Sequence, residues 1–181
     1  MSPLGEKQLD FACFQIEKLL TVVQLADSKA QFILGANTFL ISVTVALFLE
    51  QICRVFQHQG EAIVLAYAGL LIAFVAATLV SMIQASLVVL PRDVPFSQDK
   101  PHAPLLYYEE ISRVYKGAKE YSDALPHASL QEMLANAGAE VYSMSITASS
   151  KYNLLRLSLK WLLASMALWI LLLSGTLLFQ P

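Results

Sequence analysis

The sequence predicts an all-α integral membrane protein, with three transmembrane helices and a small helical cytosolic layer, and two observations carry that expectation. The first is a set of three long uncharged segments, Ala30 to Leu49, Ala62 to Leu90 and Trp161 to Phe179, of 20, 29 and 19 residues. A helix rises about 1.5 Å per residue and needs roughly 20 residues to cross a hydrocarbon core about 30 Å thick, so each segment is long enough. The second is the placement of the cations. Of the 12 Lys and Arg residues, three precede the first segment, eight lie between Arg92 and Lys160, and Arg54 alone separates the first segment from the second. Three crossings put the amino terminus and the 91–160 region on one side of the bilayer, and cation-rich short segments stay on the cytoplasmic side. The predicted organisation is a cytosolic amphipathic helix (1–29), transmembrane helix 1 (30–49), an external loop (50–61), transmembrane helix 2 with a cytosolic extension (62–90), a cytosolic helical region (91–160) and transmembrane helix 3 (161–179).

Composition supports the same class. The chain is 56% hydrophobic over 181 residues, and its apolar residues lie in blocks instead of being dispersed through amphipathic elements. The first 29 residues carry seven charges and no apolar region of signal-peptide type, so the amino terminus is expected to stay in the cytosol uncleaved. A net charge of −2 with interspersed signs argues against polymeric nucleic acid as a partner. The two cysteines, Cys13 and Cys53, fall on opposite sides of span one, which disfavours a disulfide and leaves no metal framework.

Along the chain, Leu9, Cys13, Ile16, Leu20 and Val23 recur at helical spacing between Glu6 and Asp27, the pattern of an interfacial or bundle-packed amphipathic helix. Span one carries Asn37, Thr38, Ser42 and Thr44; Asn37 is expected to hydrogen-bond a neighbouring helix. No Asp, Glu, Lys, Arg or His lies inside a span, which argues against a conventional transporter or voltage sensor. The second segment, as a helix, would extend roughly 44 Å, about 14 Å more than the hydrocarbon core, so it is expected to leave the bilayer near Ser81 to Gln84. Gly69, Ala73, Ala77, Ser81 and Ala85 fall at four-residue intervals along it, a candidate helix-packing stripe either within the bundle or between protomers of a homo-oligomer.

Pro91, Pro95, Pro101 and Pro104 bracket a connector, after which Tyr107 to Ala124 suits a helix that Pro126 ends. Ser129 and Glu132 fit a capping box. Beyond it, Leu134, Ala137, Val141, Met144, Ala148 and Leu155 hold a near-heptad stripe, predicting one long helix that runs on into span three.

Catalytic signatures are missing from the sequence. It has no GxSxG, no GxxxxGK and no CxxC; His58 is expected outside the membrane, and His102 and His127 sit in proline-containing connectors without a nearby helical HxxxH or HxxE pairing. The residues with chemical interest lie at the cytosolic boundary of the spans: Asp27, Lys29, Arg92, Lys151, Arg156 and Lys160. Converging there, the cations would form a ring able to hold a phosphate, with Tyr107, Tyr108, Tyr142 or Tyr152 to stack on a base; topology-setting and snorkelling account for the same cations.

These boundaries also carry a family resemblance. A-D-S-K-A at Ala26 to Ala30, L-P-R at Leu90 to Arg92, L-L-Y-Y-E-E-I at Leu105 to Ile111 and S-K-Y-N-L-L-R at Ser150 to Arg156 resemble, in order and placement, the transmembrane effectors of the Pycsar antiphage defence system. Tyr107-Tyr108 departs from that pattern, where phenylalanines are common. The resemblance implies a bacterial inner-membrane protein, multi-pass and without enzymatic activity or cofactor. It would respond to cyclic CMP or cyclic UMP from a partner pyrimidine nucleotide cyclase by impairing the membrane, and so cause abortive infection. Residues 91–160 would then be the sensing region; the resemblance transfers no list of ligand contacts, and the candidate ligand-binding residues are those of the boundary reading, Lys29, Arg92, Tyr107, Tyr108, Lys151, Tyr152 and Arg156. Alternatives are a membrane scaffold that anchors a signalling protein, and an effector of a different cyclic nucleotide.

Overall fold

A computed structural model describes the backbone of residues 3–58, 60–90, 105–106 and 108–178, and the side chains of 4–46, 60–90, 105–106 and 111–175. Every described element is helical: α1 (Pro3–His58), α2 (Glu61–Val89), α3 (Tyr108–Val114), α4 (Ala118–Ala124), a single 3-10 turn at Leu125–His127, and α5 (Leu130–Leu178). Three of them, α1, α2 and α5, are long and apolar enough to cross a membrane.

The boundaries follow from local chemistry. No Gly or Pro occurs between Gly35 and Gly60, so nothing in the sequence stops α1, and residues 50–58, expected in a loop, are helical. Gly60 then takes an extended conformation (φ −64°, ψ 151°) and opens α2. That helix ends at Leu90, whose extended backbone (ψ 134°) is the conformation a residue before proline prefers. The stretch expected as one helix over 107–124 forms two within 108–124: Gly117 is extended, and the Glu120 carboxylate reaches back across the α4 start to accept a hydrogen bond from the backbone N–H of Lys116 at 2.9 Å. At the start of α5 the capping box is complete, with Ser129 N–H donating to Glu132 Oε2 (2.7 Å) and Glu132 N–H to Ser129 Oγ (3.2 Å). The helix continues through Gly138 without a break. The proline connector, 91–104, lies outside the described residues.

Two compact units make up the chain: residues 1–25 with 91–150, and residues 26–90 with 151–181, so that α1 and α5 each contribute to both. In the first unit, Tyr121 Oη donates to Leu105 O (2.8 Å), Leu105 N–H donates to Asn136 Oδ1 (3.2 Å), and Asn136 Nδ2 donates to Glu132 O (2.9 Å). The Tyr115 and Tyr121 rings meet edge to face, 5.3 Å apart.

The second unit is a three-helix bundle. Asp27 meets Lys151 and Thr44 meets Trp169, so α1 and α5 run parallel; Tyr67 meets Leu172 and Ser81 meets Ser158, so α2 runs against α5. Its surface is apolar, with Phe32 75% and Leu65 76% exposed, while Asn37, Thr78, Ser81, Ser158 and Ser165 are fully buried. Polar groups inside and large apolar side chains outside are what lipid as solvent requires, because helix association there depends on close packing and interhelical hydrogen bonds.

One spacing rule runs through all three long helices. Buried or half-buried positions alternate by four and three residues: on α1 Gly5, Leu9, Ala12, Ile16, Leu19, Val23 and onward to Thr44; on α2 Tyr67, Leu71, Phe74, Thr78, Ser81, Ala85 and Val88. On α5 the run is Ala137, Val141, Met144, Ala148, Lys151, Leu155, Ser158, Leu162, Ser165, Trp169 and Leu172. A 3.5-residue repeat is that of left-handed, near-parallel helix packing. It corrects two expectations about faces. In α1 the inner face uses Ala12 and Leu19, whereas Cys13 and Leu20 are exposed. In α2 the four-residue stripe does not share a face, since each step of four turns about 40° past a full revolution. Gly69 and Ala73 therefore lie exposed, while Ala77, Ser81 and Ala85 are buried.

Candidate functional site

The most chemically loaded part of the bundle is the stretch where α1 and α5 change from charged to uncharged sequence, residues 27–33 and 151–160. Lys151 occupies a core position of the 3.5-residue repeat, and its side chain is only 7% exposed. A buried ammonium must be paired, and it is: Lys151 Nζ donates to Asp27 Oδ1 at 2.5 Å, with the Asp27 side chain 30% exposed. The pair ties α5 to α1 and neutralises the only carboxylate of this stretch.

Three cations remain. Lys29 is exposed, with its Nζ 5.7 Å from the centre of the Tyr152 ring, a distance at which the π face attracts a cation. Arg156 and Lys160 are exposed one and two turns further along α5, and neither is in an ion pair among the described residues. Of the seven candidate ligand-binding residues, the structure thus brings Lys29 and Tyr152 together and puts Lys151 in an ion pair, with Arg156 on the same stretch of α5. Arg92 and Tyr107 lie outside the described residues, and Tyr108 is described in backbone only, as the first residue of α3.

Deeper in the bundle a polar seam joins all three helices. Asn37 Nδ2 donates to Ser81 Oγ (2.9 Å) and to Ile33 O (3.0 Å); Ser81 Oγ donates to Ser158 O (3.0 Å), and Ser158 Oγ returns a bond to Ser81 O (2.8 Å). Two serines that each reach the other's backbone carbonyl require the α2 and α5 backbones to come close, which only small side chains permit. Asn37 Oδ1 is buried and has no partner among the described residues. Trp169 Nε1 donates to Thr44 Oγ1 at 3.1 Å one layer on, and Tyr67 Oη to Leu172 O at 3.4 Å. Asn37 meets a neighbouring helix in the way its sequence position suggests. Ser158, Ser165, Thr44 and Trp169 were not legible as a set, although the 3.5-residue repeat aligns them on the inner faces. No group of His, Cys, Asp or Glu able to hold a metal occurs among the described residues.

Comparison with protein families matches residues 12–178 to the Pycsar effector protein domain, from within the first turns of α1 to the end of α5. The chain belongs to the Pycsar effector family. Neither curated proteins nor solved structures give a match. Membership makes this protein a transmembrane effector of antiphage defence, functionally linked to a cyclic nucleotide signal and to the cyclase that makes it. The three apolar helices and the inside-out bundle are the physical counterpart of that assignment: a multi-pass membrane protein with its polar chemistry turned inward. Pycsar transmembrane effectors are not known as enzymes.

Proposed function

We propose that this Pycsar effector impairs the bacterial inner membrane, without a chemical step of its own, when a partner pyrimidine nucleotide cyclase produces cyclic CMP or cyclic UMP during infection. Loss of membrane integrity then stops the infected cell before phage are released. In this reading the amino terminus and residues 91–160 are cytosolic, and 91–160 is the sensing region. The observation that carries the mechanism is the Lys151–Asp27 pair at the head of a bundle with a polar seam. A cyclic phosphate offers Lys151 the same charge-assisted hydrogen bond as a carboxylate does. With Arg156 as a second cation and the half-buried Tyr152 ring at the edge of the site for the base, a nucleotide competing with Asp27 would untie α5 from α1.

Energetics favour several copies acting together. Moving a two-state population from 1:99 to 99:1 takes about 5.5 kcal/mol of differential binding, more than one mononucleotide readily supplies, so coupled protomers in a homo-oligomer make the response sharp.

The test is dye leakage from liposomes holding the purified chain, with cyclic CMP, cyclic UMP or cyclic AMP added outside, and calorimetry on the same preparations. A pyrimidine cyclic nucleotide is expected to trigger leakage where cyclic AMP does not. Arg156→Gln and Lys151→Gln are each expected to weaken nucleotide affinity about tenfold, with insertion and orientation intact. Wild-type affinity in both variants would remove these residues from the sensing site, and leakage indifferent to nucleotide would remove ligand gating.

A further inference from the structure

Beside the Lys151–Asp27 pair, α1 and α5 leave an open groove of about 310 Å³ on the bundle surface, lined by Ser28, Lys29, Phe32, Ile33, Leu155 and Leu159. From the groove's composition and position, we infer that it binds an anionic phospholipid, with the headgroup phosphate on Lys29 and the upper part of an acyl chain between Phe32 and Leu159. Three features choose this occupant.

The first is depth. Lys29 is the last charge before the uncharged run of α1, and Lys160 the last before that of α5. The parallel register of the two helices brings both changes of character to one end of the bundle. A groove there, in a helix bundle that crosses the membrane, opens toward the level where phospholipid headgroups meet their acyl chains.

The second is amphipathy. Phe32, Ile33, Leu155 and Leu159 make the groove almost wholly apolar, and Ser28 and Lys29 are the polar residues that border it. Phe32 is 75% exposed, which an acyl chain relieves and a small polar solute does not.

The third is charge. Asp27, the one carboxylate on this stretch, is already committed to Lys151. Lys29, Arg156 and Lys160 are left as a net positive field that selects an anionic headgroup over a zwitterionic one. The Tyr152 ring holds the Lys29 ammonium at the rim, so little side-chain freedom is lost when phosphate arrives.

This goes beyond the nucleotide-sensing reading and does not need it, because the experiment contains no nucleotide. The full chain is assembled in nanodiscs of phosphatidylcholine with and without phosphatidylglycerol, and the lipids that stay bound are counted by native mass spectrometry. The wild-type chain is expected to retain phosphatidylglycerol in preference to phosphatidylcholine. Lys29→Gln should lower that preference about fivefold, as expected for one cation near a membrane surface, and Lys29→Arg should restore it. Leu159→Trp, which fills the groove and keeps every charge, should reduce retention of both lipids, with helicity by circular dichroism confirming that each variant folds. Equal retention of the two lipids by the wild-type chain overturns the inference, as does unchanged retention in both Lys29→Gln and Leu159→Trp. Displacement of the lipid by glycerol phosphate at matched concentration would assign the rim to a soluble phosphate and overturn it as well.

Discussion

Lys151 sits where α5 should carry a hydrophobic residue, and it is kept there by Asp27, 2.5 Å away on α1. The pair is asymmetric, with the lysine side chain 7% and the aspartate side chain 30% exposed, so the two partners do not contribute equally to stability.

Asp27→Asn leaves a buried ammonium without its counter-charge, whereas Lys151→Met places an apolar side chain of similar length at the core position. Removing the partner of a buried charge is the costlier change. Asp27→Asn is expected to lose about 1–3 kcal/mol, and Lys151→Met less, by thermal unfolding in detergent. The reverse order would mean that the ion pair itself, and not the burial of the lysine, sets the stability.

Ser81 and Ser158 exchange hydrogen bonds with each other's backbone carbonyls, at 3.0 and 2.8 Å. Replacing either with Ala keeps the small volume; Ser158→Ala loses its bond to the Ser81 carbonyl, and Ser81→Ala loses two, because Ser81 Oγ also accepts from Asn37, each bond being worth about 0.6 kcal/mol on average within membranes. Replacing either with Leu forces the two backbones apart and should be several-fold more damaging. Chemical denaturation of the four single variants distinguishes the two contributions; equal losses for Ala and Leu would show that proximity of the helices is unimportant here.

Ala73 and Ala77 belong to one sequence stripe and point to different surroundings, Ala73 exposed and Ala77 buried at 3%. Ala77→Leu overpacks the bundle and should cost about 1–3 kcal/mol. Ala73→Leu should leave the stability of the bundle unchanged. If cross-linking of neighbouring copies then falls in Ala73→Leu alone, the outer face of α2 is the contact between protomers in the proposed oligomer; destabilisation by Ala73→Leu would contradict its exposed position.

Cys13 and Cys53 lie on opposite sides of the first uncharged run, with Cys13 exposed on α1. A membrane-impermeant thiol reagent applied to intact cells should label Cys53 and spare Cys13, and should reach both after lysis. Labelling of Cys13 in sealed cells would reverse the proposed orientation.

Hydrophobic block length and residue type settle a great deal without any tertiary information. Three runs free of charge, at lengths a bilayer demands, identify the helices that cross it. The Ser129–Glu132 box starts α5 through contacts three residues apart, and the four-motif resemblance points to the family that residues 12–178 match. All of these depend on the chain's own near neighbours or on lipid as solvent.

Which face of each helix turns inward was decided only by packing. Four-residue and 3.5-residue spacings differ by half a residue per step, too little to separate over one turn, yet over the three steps from Gly69 to Ser81 the difference carries the two residues to opposite environments. Gly117 likewise splits 108–124 because its extended backbone, with Glu120 reaching back to the Lys116 N–H just before it, competes with one more helical turn, a balance that periodicity does not record. The commitment of Lys151 to Asp27, 124 positions away, exists only once α1 and α5 run parallel and in register. A buried charge can be tolerated at that core position because the neighbouring helix presents a carboxylate at the same level, and that coincidence belongs to the tertiary structure alone.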